Sequence, residues 1–275
     1  MFMRFPGGVG MAFTLSYDDG VETDIRLGEI MKKHGLRGTF NINGGCFAKE
    51  GTTYPAGTVH RRMSLSQCIE AYKDDAFEVA LHGYKHPSFA QMPTGMTAYD
   101  VIKDREALEA AFGKVIRGLA YPNGSVNDEV VTTLKMCGVA YARTISNENF
   151  RLPDEWMRWS PTCHHADTRL MDFAQRFADM KVVKDPQVFY VWGHSYEFDA
   201  KDNWHVIEQL AEFIGGREDI WYATNIEIYN YTTAFRRLEC SADGTYVYNP
   251  SVIPVTFTHN GKMLTVNAGE TVRTR

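Results

Sequence analysis

The chain has 275 residues, of which 44% are hydrophobic and 23% are charged, and its formal net charge at pH 7 is -5. A chain of this length and composition can bury a full hydrophobic core, which excludes an intrinsically disordered protein. Acidic and basic residues are interspersed without long runs of one sign. The sequence therefore shows no electrostatic footprint for nucleic acid and favours a neutral or weakly charged substrate.

No segment reaches the roughly 18 consecutive apolar residues of a membrane span, and residues 1–10 lack the apolar core of a secretory signal. We therefore expect a cytoplasmic protein that has neither a membrane nor a nucleic acid as partner, and its oligomeric state stays open. Five scattered cysteines, an odd number without a Cys-x-x-Cys pair, argue against a disulfide framework and against a structural zinc site.

Short apolar strands alternate with amphipathic helices along the first 236 residues. The predicted strands cover residues 11–17, 38–43, 77–82, 118–122, 139–145, 188–192 and 220–223. The predicted helices cover about residues 22–34, a segment that begins at the capping-box pattern Ser64-x-x-Gln67, and residues 97–112, 127–137, 169–181, 203–214 and 225–236. Seven such βα units indicate an α/β protein with parallel strands, either an open doubly wound sheet or a closed barrel.

After about residue 237 the sequence becomes rich in turns and in short β-prone stretches at residues 245–248, 254–258 and 263–266. Asn260-Gly261 between two alternating apolar stretches is a strong hairpin signal. We therefore predict a main domain over residues 1–236 and a small antiparallel β extension over residues 237–275.

Polar residues directly follow several of the predicted strands. Asp18-Asp19-Gly20 follows the first strand, His82 and His86 follow the third, and His194 follows the sixth. Because ligands bind where the carboxyl ends of parallel strands meet, we expect these residues to converge. One aspartate and two histidines suit a catalytic divalent metal with an open position for water, and a second aspartate beside that water can act as a base.

Each motif taken singly has an ordinary structural explanation. Asp-Asp-Gly after a strand is also a common turn, and two histidines four residues apart occur by coincidence or on exposed surfaces. However, Gly83 and Pro87 argue against a long helix, so that His82 and His86 converge from a tight turn that ends a buried strand. Together with the aspartates, this arrangement favours a metal site.

These residues resemble the motifs of polysaccharide deacetylases with a NodB-homology domain, also called carbohydrate esterase family four. The first motif, Thr-Phe-Asp-Asp-Gly, is similar to Ser16-Tyr17-Asp18-Asp19-Gly20 after Leu15. The second, His-Ser/Thr-x-x-His, is similar to residues 82–86 with glycine at the hydroxyl position, and the fifth, Leu-x-His, to residues 191–194. The resemblance spans about residues 10–225 and implies a distorted seven-stranded (β/α) barrel.

The resemblance also implies a role for each matching residue. Asp18 would be the general base, Asp19, His82 and His86 would bind the metal, and His194 would be the general acid. Zinc is the first choice for this ligand set, although nitrogen and oxygen donors also accept cobalt, nickel or manganese.

The third motif departs from the family pattern Arg-Pro-Pro-Tyr-Gly, because residues 120–124 read Ala-Tyr-Pro-Asn-Gly. The arginine that steadies the base aspartate in the family is therefore missing. Some family branches supply a guanidinium from the next strand's loop, which suggests Arg158; the alternative is a surface arginine stacked on Trp156 or Trp159. A backbone N–H near Asn123 would still serve as an oxyanion donor. The predicted substrate contacts are Tyr121, Pro122, Asn123 and Trp192, although aromatic residues can also simply wall the barrel mouth.

The sequence therefore predicts a metal-dependent hydrolase that removes N-acetyl or O-acetyl groups from an acetylated carbohydrate. One alternative is an amide hydrolase that acts on a small non-sugar amide, which the missing arginine and the absence of a visible export signal favour. The other is a catalytically inactive carbohydrate-binding protein, which the retention of all five metal, base and acid positions disfavours.

Overall fold

A parallel β-sheet forms the centre of the protein, which we describe from a computed structural model over residues 1–145 and 149–274. After a first short strand, β1 (Phe2–Arg4), the strands of this sheet are β2 (Met11–Asp18), β3 (Gly38–Ile42), β4 (Phe77–Leu81), β5 (Gly118–Ala120), β6 (Tyr141–Arg143), β7 (Cys163–His164), β8 (Gln187–Gly193) and β9 (Ile220–Tyr222). The strand order is β6-β5-β4-β3-β2-β8-β7, and β9 pairs with the start of β2. Strand β2 is buried along its whole length, as expected for a parallel strand covered on both faces.

The sheet curls until its two edges are joined by one segment of chain. Trp159 forms a parallel bridge with Arg143 at the end of β6. Four residues later, Cys163 of β7 pairs with Val191 of β8. Residues 159–164 therefore connect the β6 edge to the β8 side, and the predicted distorted (β/α) barrel is confirmed.

Helices follow the strands and cover the outside of the sheet. They are α1 (Thr23–Lys33), α2 (Leu65–Ala71), α3 (Thr94–Phe112), α4 (Asp128–Met136), α5 (Leu170–Ala178), α6 (Tyr196–Ala200), α7 (His205–Ile214) and α8 (Asn225–Arg236). The predicted capping box is present at α2, where the Ser64 hydroxyl accepts from the Gln67 N–H and the Gln67 side chain accepts from the Ser64 N–H. None of the helices in the described part of the chain has the length and apolarity that a membrane crossing requires.

Each of the seven predicted strands is present, but the sequence does not predict β7 or α6. Strand β7 has only two paired residues, one of them histidine, which is too short for a recognisable apolar alternation. Helix α6 has only five residues directly after β8. Both elements carry polar residues of the candidate site.

The last residues form small antiparallel sheets. Their strands are β10 (Glu239–Cys240), β11 (Tyr246–Tyr248), β12 (Val255–His259), β13 (Lys262–Val266) and β14 (Thr271–Arg273). Asn260 and Gly261 both have positive φ, as the predicted tight hairpin between β12 and β13 requires. One sheet has the order β10-β11-β14, whereas the other is β1-β12-β13 and thus includes the first strand of the chain. The domain boundary at residue 237 stays a prediction.

Candidate metal centre and catalytic site

Two consecutive carboxylates face one histidine at the carboxyl end of β2. The His82 Nε2 atom lies 3.8 Å from an Asp18 carboxylate oxygen and 4.0 Å from one of Asp19. Successive side chains of a strand point to opposite faces, so this arrangement needs a change of backbone direction. Asp19 supplies it with a φ of 88°, which is uncommon for a residue other than glycine.

Asp19, His82 and His86 form a ligand set. One ligand atom from each of them lies within 4.8 Å of the others, and the His86 Nε2 atom is 3.9 Å from Asp19 Oδ1. The Nδ1 atom of His82 lies 2.9 Å from the Ala120 carbonyl oxygen, so its proton is donated there and the Nε2 lone pair faces the aspartates. Burial lowers the pKa of His82 to about 4 and keeps the ring neutral. These residues fit a divalent metal.

Two cationic or polar side chains from the loop before α2 hold Asp19 in place. Arg62 Nη2 donates to Asp19 Oδ1 over 2.9 Å, and His60 Nε2 lies 3.2 Å from Oδ2. Burial alone would raise the pKa of Asp19, but His60, His82 and Arg62 outweigh it and hold this pKa well below its usual range. Neither His60 nor Arg62 lies in a recognisable sequence motif, because their contacts depend on where the loop folds back.

The guanidinium beside Asp18 belongs to Arg143, not to Arg158. Arg143 Nη2 donates to Asp18 Oδ1 over 2.6 Å and contacts Oδ2 as well, and the guanidinium also lies over the Trp192 ring. Asn41 Nδ2 donates to the same Oδ1 over 2.8 Å. Burial raises the pKa of Asp18, but Arg143, His82 and His194 together outweigh burial, so the net shift is downward.

Arg158, the arginine suggested from the sequence, pairs instead with Asp128 at the start of α4, over 2.5 Å. The reason is local: Arg143 ends β6, whose carboxyl end faces the site, whereas Arg158 lies in the short turn Trp156–Arg158 next to α4. Arg143 ends the observed strand but lies inside the predicted strand 139–145, so the rule that located the other site residues did not point to it.

His194 approaches Asp18 from the end of β8. Its Nε2 atom is 3.9 Å from Asp18 Oδ2, and its Nδ1 atom is 2.9 Å from Glu197 Oε1 in α6. Burial lowers the pKa of His194, but Glu197 and Asp18 outweigh this effect and raise it above its ordinary value. Glu197 was missed at the sequence level, where its only signal is a spacing of three residues from His194.

Further side chains surround the Glu197 carboxylate. The His164 and His165 Nε2 atoms lie 3.5 and 3.6 Å from its carboxylate oxygens, and Lys201 Nζ lies 2.9 Å away. His164, His165 and Glu197 thus form a second cluster of metal-ligand types. However, the Ala166 N–H donates to His164 Nδ1, which places the proton of neutral His164 on Nε2, facing Glu197. His164 is therefore a donor to Glu197 here.

The predicted substrate contacts differ in exposure. Tyr121 and Pro122 are buried, and the Tyr121 hydroxyl donates to the Met157 carbonyl oxygen over 2.9 Å. Asn123 is exposed and has a φ of 56°, and Trp192 is half-buried under Arg143. Of the four, Asn123 and Trp192 retain surface that a substrate can reach. Their role as substrate contacts stays a prediction.

Residues 10–142 match the model of a known family, described as "Polysaccharide deacetylase". Over this segment, which is just under half of the chain, the sequence is similar to the polysaccharide deacetylases. The matched segment contains Asp18, Asp19, His82 and His86, and it ends before Arg143 and His194. A search of curated protein sequences finds no match for this chain.

Two of the solved structures similar to this chain share its fold with a TM-score above 0.5. A protein assigned as a polysaccharide deacetylase from Mycobacterium smegmatis has a TM-score of 0.60 at 15% identity, with 86% of this chain and 94% of that chain covered. The family 4 carbohydrate esterase from Streptomyces lividans, in complex with acetate, has a TM-score of 0.51 at 16% identity, with coverages of 78% and 93%. A family 4 pseudoenzyme from Bacillus anthracis has a TM-score of 0.48 at 19% identity, with coverages of 83% and 70%.

Proposed function

We propose that this protein is a metal-dependent hydrolase that removes acetyl groups from a carbohydrate. The observation that carries the proposal is that a candidate base, a candidate metal-ligand set and a candidate acid lie together at the carboxyl ends of the strands. Asp18 is an anion fixed by a buried arginine, Asp19 and two histidines form a ligand set, and His194 has its own carboxylate partner. The similarity of residues 10–142 to polysaccharide deacetylases supports the reaction class.

Asp19 and the Nε2 atoms of His82 and His86 would hold the divalent ion. When bound, such an ion lowers the pKa of a water molecule towards about 7 and polarises the acetyl carbonyl. Zinc is the first candidate, and cobalt, nickel and manganese accept the same donors.

Asp18 takes the proton from the attacking water in this proposal. Arg143 donates to both carboxylate oxygens and Asn41 donates to Oδ1, while Oδ2 also faces His82 and His194. The carboxylate is therefore ionised and held with one oxygen turned towards the reacting groups, as a general base requires.

His194 gives a proton to the departing amine, or to the alcohol if the substrate is an ester. Glu197 binds Nδ1 and stabilises the protonated ring, which leaves the Nε2 proton directed at the site. The backbone N–H of Asn123 makes no hydrogen bond within the described residues and would stabilise negative charge that develops on the carbonyl oxygen.

One argument for the small-amide alternative is that the third motif lacks the arginine beside the base aspartate. In this chain Arg143 contacts Asp18, so that argument no longer applies. An acetylated carbohydrate is therefore the substrate class to test first.

The test is acetate release by zinc-reconstituted protein from N-acetylglucosamine oligomers and from acetylated xylan, with Asp18→Asn as the blank. We expect acetate from the wild type and a loss of about 10²–10⁴ in rate for the variant. If protein with a measured full complement of metal releases no acetate from either substrate class, the carbohydrate proposal fails and small amides become the candidates.

A further inference from the structure

The turn His82–His86, which carries both histidines of the proposed metal site, has no room for a side chain at its second residue. Gly83 has a φ of 72°, and a Cβ there would lie 2.7 Å from Pro87 Cδ and 3.3 Å from Asp100 Oδ1. The serine or threonine of the family pattern therefore cannot occupy this position without moving the surrounding atoms. Other groups must hold the turn.

Helix α3 supplies carboxylates to the amide groups of the turn. Asp100 Oδ1 accepts from the Tyr84 N–H over 2.8 Å. Asp104 Oδ2 accepts from the His82 N–H over 3.2 Å, and its Oδ1 accepts from the Gly44 N–H over 2.6 Å. The two aspartates are four residues apart and so lie on one face of the helix.

The carbonyl groups of the turn are held from the opposite side. Asn43, which follows β3, donates from Nδ2 to the carbonyl oxygens of His82 over 2.5 Å and of Gly83 over 2.7 Å. Its own Oδ1 accepts from Arg62 over 2.6 Å, and Arg62 also holds Asp19. The third ligand is thereby connected to the same hydrogen-bond network.

We propose that Asp100, Asp104 and Asn43 form a polar clamp that positions His82 and His86 for the metal, in place of the missing hydroxyl side chain. The inference rests on the proposed function, since it needs a metal at this site. Asp104 and Asn43 are buried, with 0% and 2% of their surfaces exposed, so their hydrogen bonds are shielded from competing water. Their hydrogen bonds to the turn go to its backbone atoms, so they act through the histidines and are positioning residues.

The test measures metal affinity on metal-free protein by competition with a chromophoric zinc chelator, together with the visible absorption of the cobalt(II) form. Asp104→Asn places an NH₂ group against an N–H donor, so we expect zinc affinity to fall by about 10–100-fold, as for other partners of metal ligands. The cobalt spectrum should change as well. Asp100→Asn keeps an oxygen for the Tyr84 N–H and should lose less affinity.

Glu106→Gln is the matched control, because it makes the same carboxyl-to-amide change at an exposed position of the same helix. Thermal unfolding in chelator separates folding from metal binding. If Asp104→Asn does not fold, Asp100→Ala at a half-buried position replaces it, with an expected loss of about 10-fold.

The outcomes are distinct. If the wild type binds no metal, the proposed function fails and the clamp fails with it. If the wild type binds and a folded clamp variant matches it in zinc affinity and cobalt spectrum, the clamp alone is overturned. A loss in the clamp variants without a loss in Glu106→Gln supports it.

Discussion

Asp18 and Asp24 are the same residue type and are equally buried, each with 2% of its surface exposed, but they face different partners. Asp18 lies against the Arg143 guanidinium, which together with His82 and His194 outweighs burial and lowers the pKa of the carboxyl. Asp24 has no such cation among its hydrogen-bond partners in the described chain and accepts instead from two hydroxyls and one N–H. These donors are Ser195, Tyr72 and Val21.

Burial raises the pKa of Asp24 to about 7, although its three neutral donors oppose the shift. Burial therefore does not by itself decide the charge of a carboxyl group in this barrel; the partner decides it. A buried cation keeps Asp18 an anion, which a general base requires, whereas neutral donors let Asp24 take up a proton near neutral pH.

The largest expected effect comes from removing the cation. Arg143→Met leaves Asp18 as a buried carboxylate without its ionic partner, and loss of one partner of a buried pair costs about 3–5 kcal/mol of unfolding free energy. Urea unfolding at pH 7 measures this loss. The double variant Arg143→Met with Asp18→Asn should recover most of it, because it removes the stranded charge; equal losses in both variants would contradict the pairing.

Asp24 should make stability depend on pH in the opposite sense from an ion-paired aspartate. Its folded pKa of about 7 lies above the unfolded value of about 3.9, so the folded state binds more protons between these values. The stabilisation that this group contributes is therefore largest below about pH 4 and falls as pH rises to 7, by on the order of 4 kcal/mol.

Asp24→Asn should remove that part of the pH dependence. Urea unfolding at pH 5 and at pH 7.5 measures it, with Asp172→Asn, an exposed aspartate, as the control. An unchanged difference between the two pH values in Asp24→Asn would show that the carboxyl is ionised throughout.

Glu197 is a third carboxylate in this region, and its partner is His194. Glu197→Gln removes the charge that raises the pKa of His194, so the high-pH limb of the rate profile should move to lower pH. The rate at neutral pH should fall by about 10–100-fold, less than the 10²–10⁴ that a general acid supplies. A uniform loss of rate with an unmoved pH profile would indicate a structural role only.

The smallest effect is expected for Arg158→Ala. Its side chain is 38% exposed and its partner Asp128 is 98% exposed, and such surface pairs contribute about 0–1 kcal/mol. Acetate release should stay within about fivefold of the wild type, because 1 kcal/mol corresponds to about that factor in rate. A loss comparable to that of a base variant would reassign the guanidinium of the site from Arg143 to Arg158.

The fold and the central site residues follow from short-range patterns in the sequence. Apolar runs located the strands, and residues that follow them converge because the carboxyl ends of parallel strands lie at the same end of the barrel. Asp18, His82 and His194 were found in this way. Strand β7 and helix α6 are too short to produce a periodic signal, so they were missed.

The partners of the site residues could not be found from local patterns. Arg143 reaches Asp18 across the curled sheet, and Arg62 reaches Asp19 only because its loop folds back over β2. Tyr121 is a predicted substrate contact, and sequence spacing did not show that its ring is buried and that its hydroxyl donates to the Met157 carbonyl oxygen. Each of these contacts depends on tertiary packing, which cannot be read from the spacing of residues in the sequence.

The pairing of β1 with β12 also constrains when the protein can complete its fold during synthesis. Phe2 and Arg4 pair with Thr258 and Thr256, so the ribosome must add some 250 further residues first. At about 5–20 residues per second, β1 waits roughly 10–50 s for its partner. During that interval the nascent chain carries an unpaired strand edge beside Met3 and Phe5, which become buried only in the finished protein.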